Sequence, residues 1–216
     1  MDRRRWILDL DEKLNSVTHG FGALLSAAGL IMMLVYAGMH DAGVWKIVSF
    51  TIFGASLVIM YTASTLFHGV SSRKLKQYFN KFDHASIYIL IAGTYTPFTL
   101  VSLRGTWGWS IFGVIWGLAL AGVIYKLFFY KEKHRVLSAI LYVFMGCIII
   151  VAMDPLIRTV PAGGLYWLIA GGVSYIVGVY FYINDHKRFN HLIWHFFVLG
   201  GSIAHFFAIF LYVLPN

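Results

Sequence analysis

Residues 189–213 read FNHLIWHFFVLGGSIAHFFAIFLYV, a stretch without one Asp, Glu, Lys or Arg. At ~1.5 Å of rise per residue it is longer than the ~30 Å of hydrocarbon a membrane helix must cross. Yet it carries His191, His195 and His205. Ionisable groups within a bilayer are costly, so a cluster of them points first to function.

The same length of apolar sequence recurs along the chain. Hydrophobic residues make up 59% of the 216, and charged ones only 12%. So few charges cannot cover a water-facing surface of that size, which indicates an integral membrane protein. The spans read as 18–38, 45–68, 83–103, 107–128, 136–153, 164–184 and 189–213. Each break has its own cause, among them the basic stretch Ser71 to Lys81, Arg104-Gly105, the charged Lys131 to Arg135, Asp154-Pro155 with Pro161, and Asp185 to Arg188. The expected architecture is all-α, a seven-helix transmembrane bundle over 18–216. Before it, residues 1–17 place Trp6, Ile7, Leu10, Leu14 and Val17 at helical spacing, which predicts a short cytoplasmic amphipathic helix on the membrane surface. Arg3, Arg4 and Arg5 precede too acidic a segment for a signal-peptide core. The lone Cys147 allows no internal disulfide.

The formal charge of +8 is first a topology signal and not a sign of nucleic acid. With the N-terminus inside, the segments on its side hold Arg3, Arg4, Arg5, Lys13, Arg73, Lys74, Lys76, Lys81, Lys126, Lys131, Lys133, Arg135, Lys187 and Arg188. The opposite side holds Lys46, Arg104 and Arg158. This asymmetry sets a cytoplasmic N-terminus and an external C-terminus in the inner (plasma) membrane of the cell. The bilayer itself is the first expected partner.

Orientation gathers the polar residues into one layer at the cytoplasmic edge. Ser64 and His68 end the second span, Asp83 begins the third, and His191 and His195 begin the seventh. Glu12, Asn15 and His19, spaced by three and four, share a face of the first helix. His191 and His195 stand at i and i+4, so both rings can reach one ion, with His68 as the third ligand. Positions 192 to 194 are Leu, Ile and Trp, so this is not the H-E-x-x-H motif and supplies no base of its own. Three neutral imidazoles favour Zn2+ and leave a fourth position open. Zinc brings the pKa of bound water to ~7. Asp83 could hold or deprotonate that water, and Ser64 could hydrogen-bond the water or a developing oxyanion. Glu12, Asn15 and His19 are candidates for a supporting layer. His205 lies ~15 Å deeper, too far for the same ion, and is expected to bond a neighbouring helix or line the cavity of a lipid tail.

His84, His134 and His186 sit among loop charges and carry no expected role. Gly171-Gly172 and Gly200-Gly201 allow close helix approach. Pro97, in Ala92-Gly-Thr-Tyr-Thr-Pro97, predicts a kink whose freed backbone groups go to Thr94, Thr96 or a neighbouring span.

Taken together, Glu12-x-x-Asn15-x-x-x-His19, Ser64-x-x-x-His68, Asp83, the Ala-Gly-Thr-Tyr-Thr-Pro run and His191-x-x-x-His195 resemble the hemolysin III family, the bacterial branch of the progestin and adipoQ receptors. The resemblance covers essentially the whole chain in the family's motif order. It implies a seven-helix bundle with an inner-leaflet zinc held by His68, His191 and His195, with Asp83 and Ser64 as the water-holding and polar partners. It also implies an association with ceramidase-like hydrolysis and lipid homeostasis. The long N-terminal cytoplasmic domain of the animal receptors has no counterpart here, which argues against a receptor role. The leading reading is therefore a zinc-dependent hydrolase of lipid amide or ester bonds whose substrate is a membrane lipid or fatty acyl compound. A non-enzymatic regulator of membrane homeostasis with a structural zinc is the alternative. A pore former ranks last, because a pore needs polar residues across the whole bilayer.

Overall fold

A computed structural model describes residues 3–129 and 134–215, with backbone alone for 3–9. The expectations for Trp6, Ile7, Lys131 and Lys133 lie outside the side chains described. Among the described residues every regular element is helical: α1 Arg3–Met39, α2 Val44–Gly69, α3 Arg73–Pro97, α4 Thr106–Ile124, α5 Arg135–Cys147, α6 Met153–Thr159, α7 Ala162–Ile183 and α8 Asn190–Tyr212. α5 and α6 form one span, joined by a 3-10 stretch over Ile148–Ala152, so the helices make seven membrane crossings. An odd number of crossings puts the two ends of the chain on opposite sides.

Three boundaries differ from the sequence reading, each for a local reason. α1 runs unbroken through residue 17, where a separate surface helix was expected to end. No Gly or Pro lies between Arg3 and His19, so nothing interrupts the helix at that point. α3 starts at Arg73, not at 83, because the basic stretch 73–82 also lacks a breaker. Asp83 and His84 therefore sit well inside a helix and are buried. Asp154 and Arg158, expected in a loop, belong to α6, where Pro155 falls in the first turn and is tolerated.

Packing follows the chain order around a bundle in which α3 is the most buried helix. α1 lies between α2 and α8; α3 touches α2, α4 and α5; α7 packs on α8 and α5. The Gly pairs work asymmetrically. A Cβ on Gly171 would stand 2.3 Å from the His205 ring, and one on Gly201 would stand 2.8 Å from the Tyr175 ring. These two positions let α7 and α8 approach closely, whereas Gly172 faces open space.

The Ala92–Pro97 run ties the centre together. Pro97 has no N–H to give, and the chain continues as a π-turn over Phe98–Ser102, closed by Leu103 N–H on the Phe98 carbonyl at 2.8 Å. The hydroxyls of Thr94 and Thr96 turn back on the Leu90 and Ala92 carbonyls. Tyr95 serves a different break. Its hydroxyl donates toward the Met145 and Gly146 carbonyls and accepts from Ile149 N–H, each at 2.8 Å, where α5 passes into the 3-10 stretch. Backbone groups released in hydrocarbon must be satisfied internally, and Tyr95 does this from the central helix.

Candidate metal centre

Four helices converge at one edge of the bundle. The last turn of α2 brings His68, with Ser64 one turn before it. The first turns of α8 bring His191 and His195, α1 brings Glu12, Asn15 and His19, and α3 brings Asp83. One ring nitrogen from each of His68, His191 and His195 lies within 4.8 Å of the others. The ring centroids are 5.0 Å apart for His68 with His191, 5.0 Å for His68 with His195, and 4.7 Å for His191 with His195. Among the described residues no other set of three such donors converges in this way.

The donors are also prepared for an ion. His68 Nδ1 is 3.1 Å from Glu12 Oε2, so the N–H donates to the carboxylate and Nε2 keeps its lone pair. That Nε2 is buried with no hydrogen-bond partner, a costly state unless something else binds it. Glu12 also accepts from the ammonium of Lys76, on α3. His191 Nδ1 faces Asp185 Oδ2 at 4.0 Å, and Asp185 is gripped by both terminal nitrogens of Arg135. His195 is buried and stacked on His19, with centroids 3.5 Å apart and planes 12° apart. Tyr61 meets His19 edge-on at 5.0 Å. Both His19 nitrogens and Asn15 Oδ1 are buried without hydrogen-bond partners. A set of imidazoles, two of them with a carboxylate behind, is donor chemistry that fits a metal ion such as zinc.

Beside the rings of His191 and His195 opens a cavity of about 380 Å³. His19, Ser64, Asp83, His84, His191 and His195 line its head, and apolar side chains from α3, α5, α7 and α8 line the rest. Ile150, Ile169, Val173 and Ile176 line it while also being exposed on the outside of the bundle, so it opens sideways between the fifth and sixth spans. The Ser64 hydroxyl is buried and makes no hydrogen bond. Asp83 is buried on the cavity wall but is not one of the converging donors. His205 Nε2 lies 3.1 Å from the Leu168 carbonyl, and the residue is also among those lining the cavity.

Several residues at this edge escaped the sequence reading. His84 was placed among loop charges; it is buried in α3, bonds the Asn80 carbonyl at 2.8 Å and lines the cavity. Lys126 was counted as a loop cation; it is buried in the π-turn over Tyr125–Phe129 that ends α4, and shares the electrostatic field of Asp83. Asp185, Arg135 and Lys76 looked like ordinary loop charges. The one signal that could have found Asp185 was an acid six residues before His191 in a short connection.

Residues 9–206 match the haemolysin-III related family. The chain belongs to that family. Among relatives, it is 44% identical to Hemolysin-3 of Bacillus cereus over 95% of this chain and 93% of that protein. It is 44% identical to the Hemolysin-3 homolog of Bacillus subtilis (strain 168), over 94% of each. It is 31% identical to the human monocyte to macrophage differentiation factor over 92% of this chain and 83% of that one. Membership of the haemolysin-III family and seven apolar crossings make this a multi-pass plasma-membrane protein.

Proposed function

We infer that this haemolysin-III family protein is a zinc-dependent hydrolase of lipid amide or ester bonds, working at the cytoplasmic edge of the bilayer. The observation that carries this reading is a cluster of three converging imidazoles, two of which, His191 and His195, line the head of an apolar cavity that opens sideways. His68, His191 and His195 would hold the ion. An ion bound there would supply Lewis acidity and lower the pKa of a water at the site. Asp83, on the wall and outside the ligand set, would take the proton of a water attacking the linkage and return it to the leaving amine or alcohol. Ser64 donates its unused hydroxyl hydrogen to the substrate carbonyl oxygen, where negative charge develops. The apolar remainder of the cavity takes the acyl chain, keeps bulk water out and fixes the linkage beside the imidazoles. Glu12 holds His68, and the stacked His19 braces His195 from behind.

The test is a panel of ceramides, acyl amides and phospholipids offered in nanodiscs to zinc-loaded protein, with free fatty acid read by mass spectrometry. Release is expected from at least one lipid, and none from a zinc-free sample. Zinc-loaded protein that cleaves no lipid overturns the hydrolase and leaves a regulator with a structural metal.

A further inference from the structure

We propose that Asp185, locked by Arg135, is a positioning residue that orients His191 for the metal, matching what Glu12 does for His68. The proposal rests on the metal reading above and extends it to residues on elements that give no ligand.

The two arrangements have the same parts in the same order. On one side Lys76 of α3 grips Glu12, and Glu12 faces His68 Nδ1. On the other Arg135 of α5 grips Asp185, and Asp185 faces His191 Nδ1. Neither α3 nor α5 contributes an imidazole to the converging three, yet each sends a cation to a carboxylate behind one. A carboxylate at Nδ1 selects the tautomer that leaves the Nε2 lone pair toward the ion, and it fixes the plane of the ring. The two terminal nitrogens of Arg135 meet the two oxygens of Asp185 as a fork, which sets the carboxylate plane as a single ammonium could not. Arg135 is itself seated over the Tyr182 ring, 5.3 Å from its centroid. At 4.0 Å, Asp185 Oδ2 and His191 Nδ1 are neighbours just beyond hydrogen-bond distance, and in this proposal the bond closes when the ring takes its place on the ion.

The connection that presents Asp185 is closed on itself. Lys187 N–H reaches the Asn184 carbonyl at 3.1 Å, Asn190 N–H reaches the Lys187 carbonyl at 3.2 Å, and the Asn190 amide reaches the Asn184 carbonyl at 2.8 Å. Phe189, not a glycine, is held at φ 61°, a left-handed conformation that bulky residues avoid. Backbone strain of this kind persists only where the surroundings over-determine it, and it gathers at functional sites. Here it turns the chain sharply enough that an acid in the loop looks back at the second residue of α8.

A bare tie between helices would predict something different. It would set the stability of the zinc-free protein and leave zinc affinity alone. The experiment measures zinc dissociation constants by chelator competition in nanodiscs, together with the thermal midpoint of each zinc-free sample. The proteins are wild type, Asp185→Asn, Arg135→Lys and His191→Ala. Asp185→Asn is expected to weaken zinc by about 10- to 100-fold. Arg135→Lys keeps the charge, loses the fork and weakens zinc in the same direction by less. It also serves as the informative variant should Asp185→Asn fail to fold. Wild-type affinity in both, with zinc lost from His191→Ala, overturns the positioning role and leaves the metal site standing. Wild-type affinity in His191→Ala as well overturns the metal reading beneath it.

Discussion

Purified protein carrying His191→Ala and His195→Ala together is expected to hold no zinc, where wild type holds one ion per chain. The two rings stand one turn apart on α8 and, with His68, have donors within 4.8 Å of each other. Removing them leaves one imidazole, and a single protein ligand does not hold zinc against water; structural and catalytic sites use three or four. Both side chains sit at one edge of the bundle and neither fills its centre, so the double variant should keep its helical spectrum and its monodisperse elution. Metal analysis of both proteins by mass spectrometry decides. Equal zinc in the two sinks the assignment.

The second large effect concerns Asp83. Asp83→Asn should keep wild-type zinc while losing hydrolysis on the order of a hundredfold or more, the usual share of a general base. The substitution preserves size and hydrogen-bonding reach but removes the proton acceptor. Three imidazoles already serve the ion, and a fourth protein ligand would close the position that chemistry needs. H-x-x-x-H on α8 has no internal acid, Glu12 is committed to His68 and Lys76, and Asp185 to Arg135. That leaves Asp83 as the carboxylate lining the cavity. Because the buried Lys126 shares its field, Asp83→Glu is the control that keeps the charge. Loss of zinc together with activity would make Asp83 a ligand or a support; unchanged hydrolysis would remove it from the mechanism.

Much of this was legible in the sequence, for physical reasons. Hydrocarbon imposes a length and a polarity, so seven crossings could be read from composition and breakers alone. The i, i+4 spacing of His191 and His195 and the shared depth of His68 follow from helix geometry and orientation, and the fold brings those rings together. What escaped depends on contacts between elements distant in sequence. Lys76, Arg135 and Asp185 look like any loop charges until the bundle folds each against its partner. His84 escapes because the basic stretch 73–82 reads as a loop although no Gly or Pro in it stops a helix, and Lys126 because a cation at the end of a span reads as facing water. Tyr95 was one aromatic among many, and only the 3-10 break in the fifth span shows what its hydroxyl is for.

The most direct measurement is X-ray diffraction from the zinc-loaded protein, recorded on both sides of the zinc absorption edge. One anomalous peak is expected, about 2.0–2.1 Å from a nitrogen of each of His68, His191 and His195. The fourth position should hold solvent on the side facing Asp83 and Ser64. A peak elsewhere, or a fourth protein ligand closing the shell, would contradict the account.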